Sequence, residues 1–188
     1  MGSDFFKQTP PMNKTNLELK HYCGNFDQVR KVLKEIGARK EIVKKQKDYF
    51  FNLPLHPDKL GRLKLRIENK EQTLVYYERP DFIKGEAVAA KIKLYEVKDS
   101  RLVDFIKGIL GVKAVVEKTR EVWRIGNTVF HLDNVKGVGK IFEIELQKKG
   151  RITSSDQKLF KSYQNKLLPH LGKVIKGSNV DLVPAMSR

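Results

Sequence analysis

Cysteine is almost missing from this chain of 188 residues. Cys23 stands alone, so no intrachain disulfide and no thiolate metal cluster can form, which fits a reducing compartment better than a secreted scaffold. Long apolar runs are missing too. Nothing approaches the ~18–20 residues of a helical membrane span, and the N-terminal MGSDFFKQTPPM lacks the apolar stretch of a signal peptide. These absences point to the cytoplasm. Acid is the third shortage: 22 Asp and Glu face 38 Lys and Arg, a formal charge of +16 at pH 7. Such a surplus calls for an anionic partner, whether nucleic acid, a membrane surface or a small polyanion such as a triphosphate.

Apolar residues make up 40% of the chain, enough for one core at this length. Residues 1–12, with Gly, Ser and a Pro pair, read as a flexible leader or tag, 13–176 as one domain and 177–188 as a frayed tail. Within the domain, TNLELKHYC (15–23) alternates as a half-buried strand, and FDQVRKVLKEIGA follows with helical spacing behind the capping side chains Asn25 and Asp27. RKEIVKKQKDYFFN (39–52) leans to strand, RLKLRIE (62–68) and TLVYYERP form a hairpin, and AVAAKIKLYEV is another strand. A helix over DSRLVDFIKGILG is expected to bury Leu102, Phe105, Ile106, Ile109 and Leu110. Three strands (VKAVVEKTREVWRI, GNTVFHLDNV, GKIFEIELQ) and a final helix, SSDQKLFKSYQNKLLPHLG, complete an α+β unit of about eight strands and three helices.

The charged parity of these strands recurs too regularly to be only a solvated face. Asn16, Glu18 and Lys20; Lys64, Arg66 and Glu68; Tyr77 and Arg79; Lys91, Lys93 and Tyr95; Lys118, Arg120 and Arg124; His131 and Asp133; and Glu143 and Glu145 oppose apolar residues such as Leu17, Leu63, Ile92, Leu94, Phe130 and Ile144. Helices covering the apolar parity leave a polar face that closes into an antiparallel barrel with a charged lumen. Four of the acids lie on the first strand and the last two, while the bases dominate the middle strands. Carboxylates facing a wall of Lys and Arg suit a polyphosphate whose oxygens bridge protein cations and a bound Mg²⁺ or Mn²⁺.

Six segments, N-L-E-L-K (16–20), KDYFF (47–51), LKLRIE (63–68), YYERPD (76–81), EKTREVWRI (117–125) and HLDNVKGVGKIFEIELQ (131–147), fall on these strands in order. In them the chain resembles the CYTH superfamily of triphosphate tunnel enzymes, which includes class IV adenylyl cyclases, thiamine triphosphatases and inorganic tripolyphosphatases. YERPD and the last strand pair are most similar to the class IV cyclase branch. The resemblance implies an eight-stranded tunnel and phosphate binding by Lys20, Lys64, Arg66, Arg79, Lys91, Lys118 and Arg120. It also implies divalent metal held by Glu18, Asp133, Glu143 and Glu145, and catalysis by Glu18 and Lys20. Asn16 departs from the family's E-x-E-x-K: an amide offers a hard cation an oxygen but no charge.

GVGK (137–140) is not a phosphate loop, because Lys140 is followed by Ile141 and a strand, where that motif needs Ser or Thr and a helix. No Ser/His/Asp grouping suggests a covalent nucleophile. The basic run RKEIVKKQK (39–47) lacks interleaved aromatics, which weighs against nucleic acid. The expected function is a metal-dependent triphosphate phosphohydrolase. The alternatives are an adenylyl cyclase making cyclic AMP from ATP and a non-catalytic polyphosphate- or nucleotide-binding module. The expected partner is a triphosphate small molecule and not a membrane; a homodimer is left open.

Overall fold

The computed structural model describes residues 12–54, 61–69, 71–78 and 87–185. Its elements follow in the order β1 (Met12–Tyr22), α1 (Phe26–Glu35), β2 (Arg39–Phe51), β3 (Gly61–Glu68), β4 (Glu71–Glu78), β5 (Val88–Val97), α2 (Leu102–Leu110), β6 (Val112–Ile125), β7 (Thr128–Val135), β8 (Gly139–Lys148) and α3 (Ser154–Leu167), then two short 3₁₀ turns. The strands close into an antiparallel barrel in the order β1-β5-β4-β3-β2-β6-β7-β8, so β8 returns to β1 and the sheet has no free edge. β1 begins at Met12, one residue inside the segment read as a leader; residues 1–11 lie outside the described residues.

Strand alternation divides the molecule into an outer and an inner face. Outward, Leu17, Leu19, Trp123, Phe130, Leu132, Phe142, Ile144 and Leu146 pack against Phe26, Val29, Val32 and Leu33 of α1 and Phe160 and Leu167 of α3. Both helices start on firm caps: the Asn25 side chain accepts from Asp27 N–H, and Thr153 and Asp156 form a reciprocal capping box. α2 covers β3, β4 and the end of β5, where Leu63, Leu65, Ile67, Leu74 and Val97 meet Leu102, Val103, Ile106 and Leu110. Two residues expected on its buried face are turned to water instead: Phe105 is 65% exposed and Ile109 63%.

β5 overturns the expected parity. Its register pairs Asn16 with Ala90, Tyr77 with Ile92 and Val75 with Leu94, which turns Ala90, Ile92 and Leu94 into the lumen and leaves Lys91, Lys93 and Tyr95 exposed outside. Apart from Val97 at the end of β5, which joins the α2 cluster, the helices in the outer clusters lie over other strands. Uncovered, the outer face of β5 is the wet one, and its lysines belong there.

Residues 174–182 of the C-terminal segment pack on the barrel in place of the frayed tail expected from 177 onward. Val174 bridges to His21, and Ile175 N–H donates to the Lys20 carbonyl. Ile175 and Val180 then pack with Phe50, Tyr77, Ala114, Val116, Val135 and Ile141. This strap lies across the end of the barrel where β1 finishes, pinned by the Tyr77 and Ser178 hydroxyls at 2.7 Å and by Arg62 on Asp181 at 3.0 Å.

Candidate active site

The charged part of the lumen encloses a cavity of about 320 Å³ lined by Asn16, Glu18, Lys20, Lys64, Arg66, Lys118, Arg120, His131, Glu143 and Glu145, among others. Ser178 and Asn179 of the strap form part of its wall, and Glu41, Ile42, Lys44 and Arg124 line it at the opposite, more exposed rim. Val75, Tyr77, Ala90, Ile92 and Leu94 make one side apolar.

The cations are held in pairs by one device used twice. On β3, Lys64 and Arg66 lie two residues apart, and Asp48 on β2 stands opposite Arg66; Lys64 Nζ donates to it at 2.7 Å and Arg66 Nε and Nη2 at 2.8 and 3.1 Å. On β6, Lys118 and Arg120 repeat the spacing opposite Asp133 of β7, with donor distances of 2.8 Å from Lys118 and 2.6 Å for both arms of Arg120. Burial alone would push both Asp carboxyls up, but the flanking cations hold them well below the ordinary range. Burial also lowers Lys64 to about 7 and Lys118 to about 8, with repulsion from the neighbouring arginine adding to the effect and the aspartate opposing it. Each trio combines a fixed arginine with a lysine whose charge is easily modulated.

The acids gather where β8 meets β1. Carboxylate oxygens of Glu18, Glu143 and Glu145 all lie within 4.8 Å of one another, a hard-oxygen set that suits Mg²⁺ or Mn²⁺ and not a thiophilic metal. Lys20 donates to Glu143 and stands 3.6 Å from Glu18, and Arg120 Nη2 reaches Glu143 at 3.0 Å. Glu145 accepts from the Asn16 amide, from Gln147 Nε2 at 2.8 Å, and faces His131 Nε2 at 3.3 Å. Burial pushes Glu143 up, but Lys20 and Arg120 outweigh it and hold the carboxyl well below its usual range.

Of the expected residues, Glu18, Lys20, Lys64, Arg66, Lys118, Arg120, Glu143 and Glu145 meet in this cavity. Lys91 does not: it is exposed on the outer face of β5. Arg79 lies outside the described residues. Asp133 faces inward but stands apart from the acidic cluster, because Lys118 and Arg120 occupy both of its oxygens. Lys44, Gln46 and Asp48 are additions. Up to Lys47 the two parities of β2 are alike, mostly polar with one apolar residue each (Ile42 and Val43), so alternation gave no sign of which faced inward; the acid Asp48 just before the aromatic run was the available signal.

Comparisons with known proteins agree with this geometry. A PH1012 protein from Pyrococcus horikoshii superposes with a TM-score of 0.70 at 24% identity, over 90% of this chain and 99% of that one. A second protein of that organism, PH1819, gives 0.66 at 21% identity over 89% and 97%. An adenylyl cyclase candidate from Hippeastrum with a dominant triphosphatase activity gives 0.56 at 17% identity over 81% and 87%. At these identities the likeness is one of fold. No curated protein matches the chain in sequence. A CYTH domain family model matches residues 14–176, the whole barrel with α3, and the chain belongs to the CYTH family.

Proposed function

We propose that the chain is a Mg²⁺- or Mn²⁺-dependent phosphohydrolase of a small triphosphate, either inorganic triphosphate or the triphosphate of a nucleoside or thiamine. The observation that carries this is the juxtaposition, in one cavity of about 320 Å³, of two Asp-anchored Lys/Arg pairs with the Glu18/Glu143/Glu145 cluster. A chain of phosphates needs cations spread along its length, and Lys64, Arg66, Lys118 and Arg120 supply them from adjoining walls. The anchoring by Asp48 and Asp133 keeps those donors oriented before the ligand arrives, so little ordering is needed when it does.

Glu18, Glu143 and Glu145 are the residues that would hold the cation; bound there, it polarises the phosphoryl group under attack and offsets its developing charge. Lys20, paired with Glu143 and 3.6 Å from Glu18, lines the same cavity and would deliver a further positive charge to the same phosphoryl oxygens. Water is the acceptor: its oxygen bonds to the terminal phosphorus, the bond to the bridging oxygen breaks, and orthophosphate leaves together with the shortened polyphosphate. Arg120, shared between Asp133 and Glu143, ties the phosphate-binding wall to the acidic cluster.

Orthophosphate release from tripolyphosphate, ATP and thiamine triphosphate, with cyclic AMP followed in parallel, tests the proposal. Release that requires Mn²⁺ or Mg²⁺ is the expected result. Cyclic AMP and pyrophosphate without orthophosphate would make the protein a cyclase, and binding without turnover would make it a carrier of polyphosphate.

A further inference from the structure

Charge bookkeeping in the lumen singles out one carboxylate. Lys64 and Arg66 neutralise Asp48, Lys118 and Arg120 neutralise Asp133, Lys44 neutralises Glu68, and Lys20 with Arg120 neutralises Glu143. Glu18 has Lys20 at 3.6 Å. Glu145 is different. Among the described residues its side chain, 12% exposed, meets amide and imidazole nitrogens and has no Lys or Arg within ion-pair distance; Arg120 acts on it only at longer range.

The two amides come from positions directly opposite each other, Asn16 on β1 and Gln147 on β8, and both donate to the same oxygen, Oε1. Neutral donors orient a carboxylate without cancelling its charge. Asn16 is 3% exposed, so its geometry is fixed by the barrel, and its second polar atom, Oδ1, is buried without a partner while the residue lines the cavity. A buried amide oxygen left open in this way lacks a donor, and a hydrated Mg²⁺ or Mn²⁺, which keeps several of its waters, brings O–H donors.

We propose that Asn16 and Gln147 form an amide clamp that fixes Glu145, the carboxylate with no directly paired Lys or Arg, as the anchor of a single hard divalent cation, which makes Asn16 a positioning residue for the metal and not one of its ligands. This rests on the metal-dependent reading above. A carboxylate at position 16 would instead face Glu145 as a like charge and would need a second cation to be tolerated. The amide lets the acidic cluster stay ordered with one.

Outer-sphere partners of metal ligands govern affinity by about 10- to 100-fold when removed. Titration of the whole protein with Mn²⁺, followed by calorimetry and by the electron spin resonance of free Mn²⁺, should give one site per chain. Asn16→Leu and Gln147→Leu should each weaken that site by about 10- to 100-fold. The double variant should be little worse than either single one, because both side chains act on one oxygen. Tripolyphosphate binding in the presence of a chelator should stay unchanged, since the Lys/Arg wall is untouched. Multiplying losses in the double variant would make Asn16 an independent ligand and overturn the clamp. So would unchanged Mn²⁺ affinity in both single variants, or an equal loss of chelator-resistant tripolyphosphate binding, which marks general damage. Absence of Mn²⁺ binding by the wild-type protein is a separate outcome: it removes the metal from the proposed function, and the clamp with it.

Discussion

Lys64 is the residue whose chemistry responds most directly to a ligand. With its buried amine lowered to about 7 against an ordinary 10.5, it is about half neutral near physiological pH. A phosphate placed beside it favours the charged form, so triphosphate binding should draw in protons at pH 7–8, and affinity should fall as pH climbs through that range. Calorimetry in buffers of different ionisation enthalpy measures the uptake, and Lys64→Met should reduce it. The same shift acts on stability. Between about 7 and 10.5 the unfolded chain holds a proton on Lys64 that the folded chain has released, so this group makes the ligand-free protein more stable as pH rises across that window. Asp48 works in the same direction at the acid end of the scale: its depressed carboxyl contributes stability that is fully present above the ordinary carboxylate range and is lost on acidification. Asp48→Asn leaves Lys64 and Arg66 without their shared anion and should cost about 3–5 kcal/mol, measured by urea unfolding, with tripolyphosphate restoring part of it. Glu143 and Glu145 were legible from their shared parity with Glu18 across the β8–β1 seam. The anchoring role of Asp133 was not, because a strand pattern shows which face a carboxylate occupies and not which cation reaches it first.

At the scale of elements, alternation located the lumen faces of β1, β3, β7 and β8 because one parity of each is plainly apolar, whereas on β6, whose outer parity carries Lys113, Glu117, Thr119 and Glu121, the spacing of Lys118, Arg120 and Arg124 gave the inner face. On β5 the same rule pointed the wrong way. AVAAKIKLYEV alternates well, yet periodicity gives two faces and not which of them is wet; the register with β1 and β4 decides, and it exposes Lys91. Lys91→Gln should therefore leave tripolyphosphate affinity within about twofold at physiological salt, because an exposed charge beyond about 8 Å is largely screened. Lys118→Gln should weaken it far more, and competition binding separates the two. On α2, Phe105 and Ile109 fit the helical period but face water, and the packing falls to Leu102, Ile106, Leu110 and above all the buried Val103. Val103→Ala should cost about 2 kcal/mol in thermal unfolding. Phe105→Ala, at a water-facing site, should stay within about 0.5 kcal/mol.

The whole molecule carries +16, and much of its buried cationic charge faces inward across a cavity of about 320 Å³. The lumen cations are already paired with carboxylates, so an anion stabilises only as a ligand of the folded state, and tripolyphosphate should raise the melting temperature in proportion to the logarithm of its concentration above Kd. Orthophosphate at matched ionic strength should do much less; an equal effect would mean simple screening.

The strap from Val174 to Val180 gives this chemistry a direction. With Ile175, Ser178, Asn179 and Val180 seated over one end of the barrel, the more exposed way into the lumen, among the described residues, is the rim of Lys44 and Arg124. Reactant and product then share a doorway. Orthophosphate freed at the inner end cannot depart ahead of the remainder of its parent, whereas orthophosphate freed at the rim can, so the order of product escape records which way round the polyphosphate went in.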